Sequence, residues 1–186
     1  MRLGVLKEPE GETRVAIVPK SLRKLTKSGF EVTIESNAGV SANHHDSEYE
    51  ENGAVVSTRS EVLKSPLLIT INIPEISELH SGQVIACVAD PFRHPEKVQA
   101  CLDAGVTLLS MDMIPRRLSR AQSMDVNSSQ DNLAGYKAVL LGAASVPKGI
   151  PMMTTSAGTV RPAKVVFRGS GVAGLRAFTT AKRLGS

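Results

Sequence analysis

The chain has 186 residues, of which 41% are hydrophobic and 22% are charged, as in an ordinary globular protein. This composition excludes a fibrous protein and a chain that is disordered throughout. The net charge of +4 is a small basic excess, and aromatic residues make up only 3% of the chain. Few rings are therefore available for stacking on nucleic-acid bases, and we expect no nucleic-acid partner.

Short apolar runs alternate with helical patterns over the first 111 residues. The apolar runs predict strands at 2–6, 30–35, 67–73, 83–89 and 106–111. Helices are predicted at 19–28, 46–52, near 62–64 and at 95–104. Alternation of strand and helix at this spacing predicts an α/β fold: a Rossmann-like lobe with a mostly parallel sheet.

A polar loop over residues 112–127 interrupts this alternation. Its arginine, glutamine and aspartate side chains can bind an amide, a ribose or a phosphate, although a solvated basic turn is the alternative. Ser128 and Asp131 resemble a capping box, which predicts a helix that begins at Ser128 and ends before Pro147. Residues 151–162 are predicted to be a linker.

A glycine-rich turn follows a predicted strand at 164–167. Residues 169–174, GSGVAG, match the phosphate-binding motif of dinucleotide folds, in which the first glycine makes the turn and the second admits a pyrophosphate. A plain strand-to-helix turn is the alternative. The acidic residue that binds the ribose would fall beyond residue 186, so we expect the chain to be a fragment of a longer protein.

The predicted domains are therefore an N-terminal lobe (1–127), an interdomain helix and linker (128–162), and the first βα unit of a second Rossmann lobe (163–186).

The chain has no apolar run near the ~18 residues of a membrane-spanning helix, and its first residues lack the apolar core of an export signal. We expect a cytoplasmic protein in which Cys87 and Cys101 are reduced core thiols. The adjacent histidines at 44 and 45 diverge on either a strand or a helix, so we predict no metal site and interpret Asp46 as a helix N-cap.

Several stretches carry a resemblance to a known family. Residues 119–139, SRAQSMDVNSSQDNLAGYKAV, are similar to the alpha subunit of proton-translocating NAD(P) transhydrogenase. Residues 7–16, KEPEGETRVA, resemble the opening that this family shares with alanine dehydrogenase, and residues 151–159, PMMTTSAGT, resemble its linker. Residues 162–185 resemble the start of its NAD-binding lobe. The resemblance covers nearly the whole chain, but only about the first half of the family's NAD-binding component.

This resemblance implies hydride transfer from NADH to NADP⁺, coupled to proton translocation in a larger complex. In the family, the component is a domain of two Rossmann-like lobes with NAD(H) in the cleft between them. NADP(H) is bound by a partner domain, and a separate part spans the membrane. The implied partners are a second copy of the chain, the NADP-binding subunit and the membrane-spanning subunit, with peripheral attachment to the inner membrane.

The resemblance also implies the site residues. The expected catalytic residues are Gln122, Asp125 and Arg117, which would lie beside the nicotinamide and its ribose. The expected cofactor-binding residues are Arg117, Leu118, Ser119, Gln122, Ser123, Met124, Asp125, Ser128, Gly169, Ser170, Gly171, Val172 and Gly174. The loop is one residue longer than the family pattern, so Arg116 is an alternative to Arg117, which we prefer for its distance from Gln122. Arg168 replaces an apolar residue, and a buried arginine there would be costly unless paired.

Two alternatives to this hypothesis are a related enzyme and a protein of another class. Alanine dehydrogenase shares the opening motif and the fold, but Thr70 occupies the position of the lysine that holds pyruvate in that family. A non-catalytic remnant or interaction module would fold, or would bind a partner through its sheet edge, without any affinity for nucleotides.

Overall fold

Six parallel strands form a sheet in the N-terminal region of the chain. The computed structural model describes residues 1–186 and separates into two units, Met1–Ile114 and Pro115–Ser186. The strands of the first unit are β1 (Arg2–Val5), β2 (Glu31–Glu35), β3 (Val55–Ser57), β4 (Leu67–Ile69), β5 (Val84–Cys87) and β6 (Thr107–Ser110). Their order is β3-β2-β1-β4-β5-β6, and every neighbouring pair is parallel. This order reverses direction between β1 and β4, which confirms the predicted Rossmann-like α/β fold.

Four helices connect the strands of the first unit: α1 (Pro19–Lys27), α2 (Asp46–Glu51), α3 (Arg59–Val62) and α4 (Pro95–Asp103). The prediction that Asp46 is the N-cap of α2 is wrong, because Asp46 is the first helical residue and His45 precedes it as the cap. The Asp46 carboxylate instead accepts the N–H of Asn37 at 2.9 Å. The side chain of Glu48 accepts the N–H of His45 at 3.0 Å and so satisfies the start of the helix.

The core of the first unit consists of two apolar clusters. One combines residues of β1 and β2 with α1 and with Tyr49 of α2. The other combines β4 and β5 with α3 and α4, and it contains both cysteines as free thiols. Burial raises the pKa of Cys87 to about 12, so this thiol stays protonated and unreactive at neutral pH.

The second unit is built around two packed helices, α5 (Val126–Ser145) and α6 (Val172–Arg183). A two-stranded antiparallel hairpin, β7 (Met153–Thr155) and β8 (Gly158–Val160), lies in the predicted linker. The start predicted for α5 is wrong by two residues. Asp125, not Ser128, is its N-cap, because the Asp125 carboxylate accepts the N–H of Ser128 at 2.9 Å.

The predicted strand at 164–167 is absent, and this segment is irregular. A strand needs a neighbour for its backbone hydrogen bonds, and the only strand pairing in the second unit joins β7 to β8.

The division between the units falls after Ile114, whereas the predicted domain boundary follows residue 127. The polar loop and α5 therefore belong to one unit with α6. No helix of the structure combines the length and the hydropathy required to cross a membrane.

Candidate functional site

The glycine-rich turn leads directly into α6 and uses its three glycines for different purposes. Gly169 has φ +110°, a left-handed conformation that favours glycine. A Cβ atom on Gly174 would lie 2.3 Å from the carbonyl oxygen of Gly169, so the turn closes only with glycine there. A Cβ atom on Gly171 would meet nothing within 4 Å. The space beside Gly171 is therefore open to a ligand, while the other two glycines shape the turn.

The start of α6 is suited to bind an anion. Gly171 is its N-cap, and the first amides of the helix have no carbonyl partner within it. The helix dipole adds partial positive charge at this end, and Ser170 is exposed beside it. Arg168 is also exposed, so its charge carries no burial cost and adds positive potential near the turn. The observed arrangement fits the pyrophosphate of a dinucleotide.

Asp125 holds the start of α5. Its carboxylate accepts both the N–H and the hydroxyl of Ser128, at 2.9 and 2.5 Å. The hydrogen bond from the Ser128 hydroxyl is the main reason that the pKa of Asp125 is lowered, and the backbone N–H and Arg116 act in the same direction. Asp125 is therefore a carboxylate at neutral pH. Two residues predicted as separate ligand contacts thus form one capping pair.

The arginine beside Asp125 is Arg116, the alternative that the sequence left open. Its Nε lies 3.7 Å from Oδ1 of Asp125, and its Nη1 lies 3.7 Å from Oδ2 of Asp131. The preferred candidate, Arg117, is exposed and forms no ion pair. Arg116 therefore faces two carboxylates, while the guanidinium of Arg117 is available to a ligand.

The other predicted residues of the loop are presented to solvent. Gln122, Ser123 and Met124 form a short 3-10 turn that ends at the Asp125 cap. The exposed predicted residues are Arg117, Leu118, Ser119, Gln122, Ser123 and Met124. Ala121 is the buried member of this loop and lies between them in sequence. The loop thus presents donors and acceptors, and none of its exposed groups is placed as a nucleophile beside a base.

Two contacts between α5 and α6 were not identified from the sequence. Arg176 Nε donates a hydrogen bond to Asn132 Oδ1 at 2.7 Å. Gly135 is buried, and a Cβ atom there would lie 2.1 Å from the carbonyl oxygen of Ala173. The available signal was a glycine inside a long helix, but Gly142 in the same helix gives the same signal without any close approach.

The first unit has its own cavity, of about 260 Å³, at the carboxyl ends of β1 and β4. Parallel α/β sheets bind ligands at such a reversal of strand order. Here the Thr70 hydroxyl donates to the carbonyl of Asn72 at 2.6 Å, and Glu8 accepts the N–H groups of Ile71 and Asn72. These polar groups are engaged with one another. No group of three or more His, Cys, Asp or Glu side chains in the structure could hold a metal ion.

The parallel sheet, together with the glycine turn at the start of α6, places the chain among Rossmann-like α/β proteins. It belongs to the alanine dehydrogenase/PNT family. The model of the family's N-terminal domain matches residues 4–134, and the model of its C-terminal domain matches residues 138–186.

Curated relatives fall into the two groups for which the family is named. The chain is 41% identical to an NAD(P) transhydrogenase subunit alpha polypeptide of Rhodospirillum rubrum, over 100% of this chain and 51% of the relative. It is 36% identical to NAD(P) transhydrogenase subunit alpha of Haemophilus influenzae, over 100% of this chain and 37% of the relative. Identity to alanine dehydrogenase 1 of Staphylococcus aureus is 31%, over 77% of this chain and 38% of that protein. The chain thus spans about half the length, or less, of these relatives.

Two solved structures share the fold over the whole chain. The transhydrogenase from Sinorhizobium meliloti superposes with a TM-score of 0.95 at 42% identity, covering 100% of this chain and 57% of that one. L-alanine dehydrogenase superposes with a TM-score of 0.87 at 25% identity, covering 100% of this chain and 53% of that one.

Proposed function

We propose that the chain is the NAD(H)-binding component of an NAD(P) transhydrogenase, which passes hydride from NADH to NADP⁺ on a partner domain. The observation that carries this proposal is the turn at the start of α6, where Gly171 leaves open space against unpaired helix amides. Identity of 41% to a transhydrogenase alpha subunit over the whole chain supports the same function. Proton translocation would be coupled to this transfer in the full complex.

The glycine turn and the polar loop would hold different parts of the cofactor. The backbone of residues 169–174 would bind the pyrophosphate, with Ser170, Gly171 and Val172 nearest to it. Gln122 would bind the nicotinamide carboxamide, since its side chain offers both a donor and an acceptor. Arg117, with a free guanidinium, would bind a ribose or phosphate oxygen. The remaining predicted contacts, Leu118, Ser119, Ser123 and Met124, would complete the wall of the nicotinamide pocket.

The chemistry of the reaction agrees with this set of residues. A bound nicotinamide supplies the hydride itself, so the protein needs no nucleophile. The chain's residues must instead hold the ring at reacting distance and exclude water. Asp125 and Ser128 contribute by fixing the end of the loop, and Arg116 lies 3.7 Å from the same carboxylate. Gln122 would then orient the ring from a fixed position.

The proposed partners follow from the named relatives. These are subunit alpha proteins, and a subunit alpha implies further subunits. We propose that one such subunit binds NADP(H) and that another spans the membrane, with this chain attached peripherally at the cytoplasmic side as a homodimer. No component of this assembly requires a nucleic acid.

The rival function, alanine dehydrogenase, is disfavoured by the cavity of the first unit. Thr70 stands where that enzyme family has a pyruvate-binding lysine, and its hydroxyl is bonded to a backbone carbonyl. Neutral Thr70 offers no cation to a carboxylate substrate at that position. We therefore expect no alanine-dependent reduction of NAD⁺.

One set of assays tests these functions together. The chain is mixed with the NADP-binding and membrane subunits of a transhydrogenase, and NADH-dependent reduction of NADP⁺ is followed. The proposal predicts activity that depends on the added chain. Alanine-dependent formation of NADH by the chain would favour the dehydrogenase instead, and a folded chain active in neither assay would favour the non-catalytic module.

A further inference from the structure

The contact between α5 and α6 lies within the first half of both helices. Four residues define this α5–α6 junction: Asn132, Gly135, Ala173 and Arg176. The Arg176 side chain donates to Asn132 at 2.7 Å, and Gly135 lies against the carbonyl of Ala173. Asn132 and Arg176 are both partly buried, so water only partly competes for their hydrogen bond.

The junction joins the two segments that the proposed function assigns to the cofactor. The polar loop ends at Asp125, and Asn132 lies about 10 Å further along α5 at 1.5 Å per residue. The glycine turn (169–174) runs into α6 at Val172, so Ala173 lies in the first turn of that helix. Each ligand-binding segment therefore precedes a helix that contacts the other helix within its first half.

We propose that the α5–α6 junction positions the glycine turn relative to the polar loop, so that one dinucleotide reaches both. This inference rests on the proposed NAD(H) site. Asn132, Gly135 and Arg176 lie outside the segments assigned to the cofactor, and Ala173 contributes to the junction only the carbonyl that faces Gly135. They act as positioning residues through the helices that carry the contacts.

The packing at Gly135 makes this spacing sensitive to a single methyl group. A Cβ atom at residue 135 would lie 2.1 Å from a backbone oxygen, and ordinary contact begins at 3.4 Å. The two helices would have to move apart by roughly 1.3 Å, because a helix carbonyl cannot rotate away as a side chain can. The glycine turn at the start of α6 would move with its helix.

Gly142 offers a matched control on the same helix. A Cβ atom at this residue would meet nothing within 4 Å, so Gly142→Ala changes the same residue type without pushing on α6. Both substitutions replace glycine by a better helix former, so any gain in helix propensity is common to the two variants.

The test compares NADH with ADP in titrations of the full 186-residue chain. ADP lacks the nicotinamide half and would reach the glycine turn alone, whereas NADH would reach both segments. We expect Gly135→Ala to weaken NADH binding about tenfold or more, to change ADP binding less than twofold, and to leave cooperative melting intact. Gly142→Ala should change neither affinity. Equal losses for NADH and ADP, or no loss of NADH binding, would overturn the inference.

A second pair of variants applies if Gly135→Ala does not fold. Asn132→Ala removes the acceptor for Arg176, while Asn132→Asp keeps an oxygen acceptor in its place. The first should weaken NADH more than ADP, and the second should restore NADH affinity to within about threefold of the wild type. Failure of this rescue would contradict positioning by the hydrogen bond. Wild-type chain that binds neither nucleotide would instead refute the proposed function itself, so the two failures are distinguishable.

Discussion

Replacement of Gly171 by serine should separate ligand binding from folding. Gly171 has φ −72° and ψ −175°, an extended conformation that serine adopts without strain. A Cβ atom there meets nothing within 4 Å. Serine is also a better N-cap than glycine, because its hydroxyl accepts an amide hydrogen of the first helical turn. The melting temperature of Gly171→Ser should therefore equal or slightly exceed that of the wild type.

The same hydroxyl should cost most of the affinity for NADH. It occupies helix amides that the pyrophosphate would use, and its atoms fill the open approach beside residue 171. Hydrogen bonds to charged groups are worth about 1.5–3 kcal/mol each. Loss of two such bonds at the lower value amounts to about 3 kcal/mol, which is roughly a hundredfold in Kd.

The assay is isothermal titration of wild type and Gly171→Ser with NADH, with thermal melts of both proteins. Gly142→Ser is the control, because it introduces the same side chain at an open position within α5. Binding of NADH by Gly171→Ser within twofold of the wild type, with normal melting, would refute the placement of the pyrophosphate at this turn.

Three further predictions concern single side chains. Tyr49 is fully buried, its hydroxyl donates to the Ile17 carbonyl at 3.0 Å, and burial raises its pKa to about 12. Because this pKa exceeds the unfolded value of about 10, the stability contributed by the neutral phenol is complete below pH 10 and is lost as pH rises towards 12. In urea titrations, Tyr49→Phe should lower the free energy of unfolding by about 1–3 kcal/mol at neutral pH and should reduce the loss of stability at alkaline pH. Tyr136→Phe is the control, since Tyr136 is exposed, and it should have neither effect. Gln122→Asn should slow hydride transfer in the reconstituted complex far more than it weakens NADH binding; equal losses would count against a role in orienting the ring. Asp125→Ala should lower the melting temperature at neutral pH, and since the pKa of Asp125 is lowered in the fold, the difference from the wild type should shrink as pH falls through that pKa.

Much of the fold of the first unit could be predicted from the sequence. Five of its six strands follow from apolar runs, because the strands of a parallel sheet are buried on both faces. Strand β3 was not predicted, because it has only three residues, lies at the sheet edge and leaves Val55 64% exposed, so no apolar run marks it. The apolar run at 164–167 has the composition of a strand but no neighbour to pair with in the second unit. Pairing is a property of the surrounding structure, which a local pattern does not contain.

The candidate site was predictable in its residue types but not in its internal contacts. The glycine pattern predicts the turn at α6, and the structure shows which glycines shape it. The distance from Gln122 favours Arg117 as the functional arginine of the loop, whereas the structure places Arg116 beside Asp125, because the path of the loop decides which guanidinium approaches that carboxylate. The predicted Ser128–Asp131 capping box does not form, because the helix begins earlier and Ser128 donates to the cap residue Asp125 instead. The identity of NAD(H) as the ligand stays a prediction.

The most direct measurement is a fluorescence titration of the 186-residue chain with NADH, accompanied by thermal melts at each nucleotide concentration. We expect a saturable change in NADH fluorescence and a melting temperature that rises with NADH, because a ligand that binds only the folded state stabilises it. A chain that melts cooperatively, with neither a saturable signal nor a shift in melting temperature, would contradict the claim that the glycine turn and the polar loop form a nucleotide site.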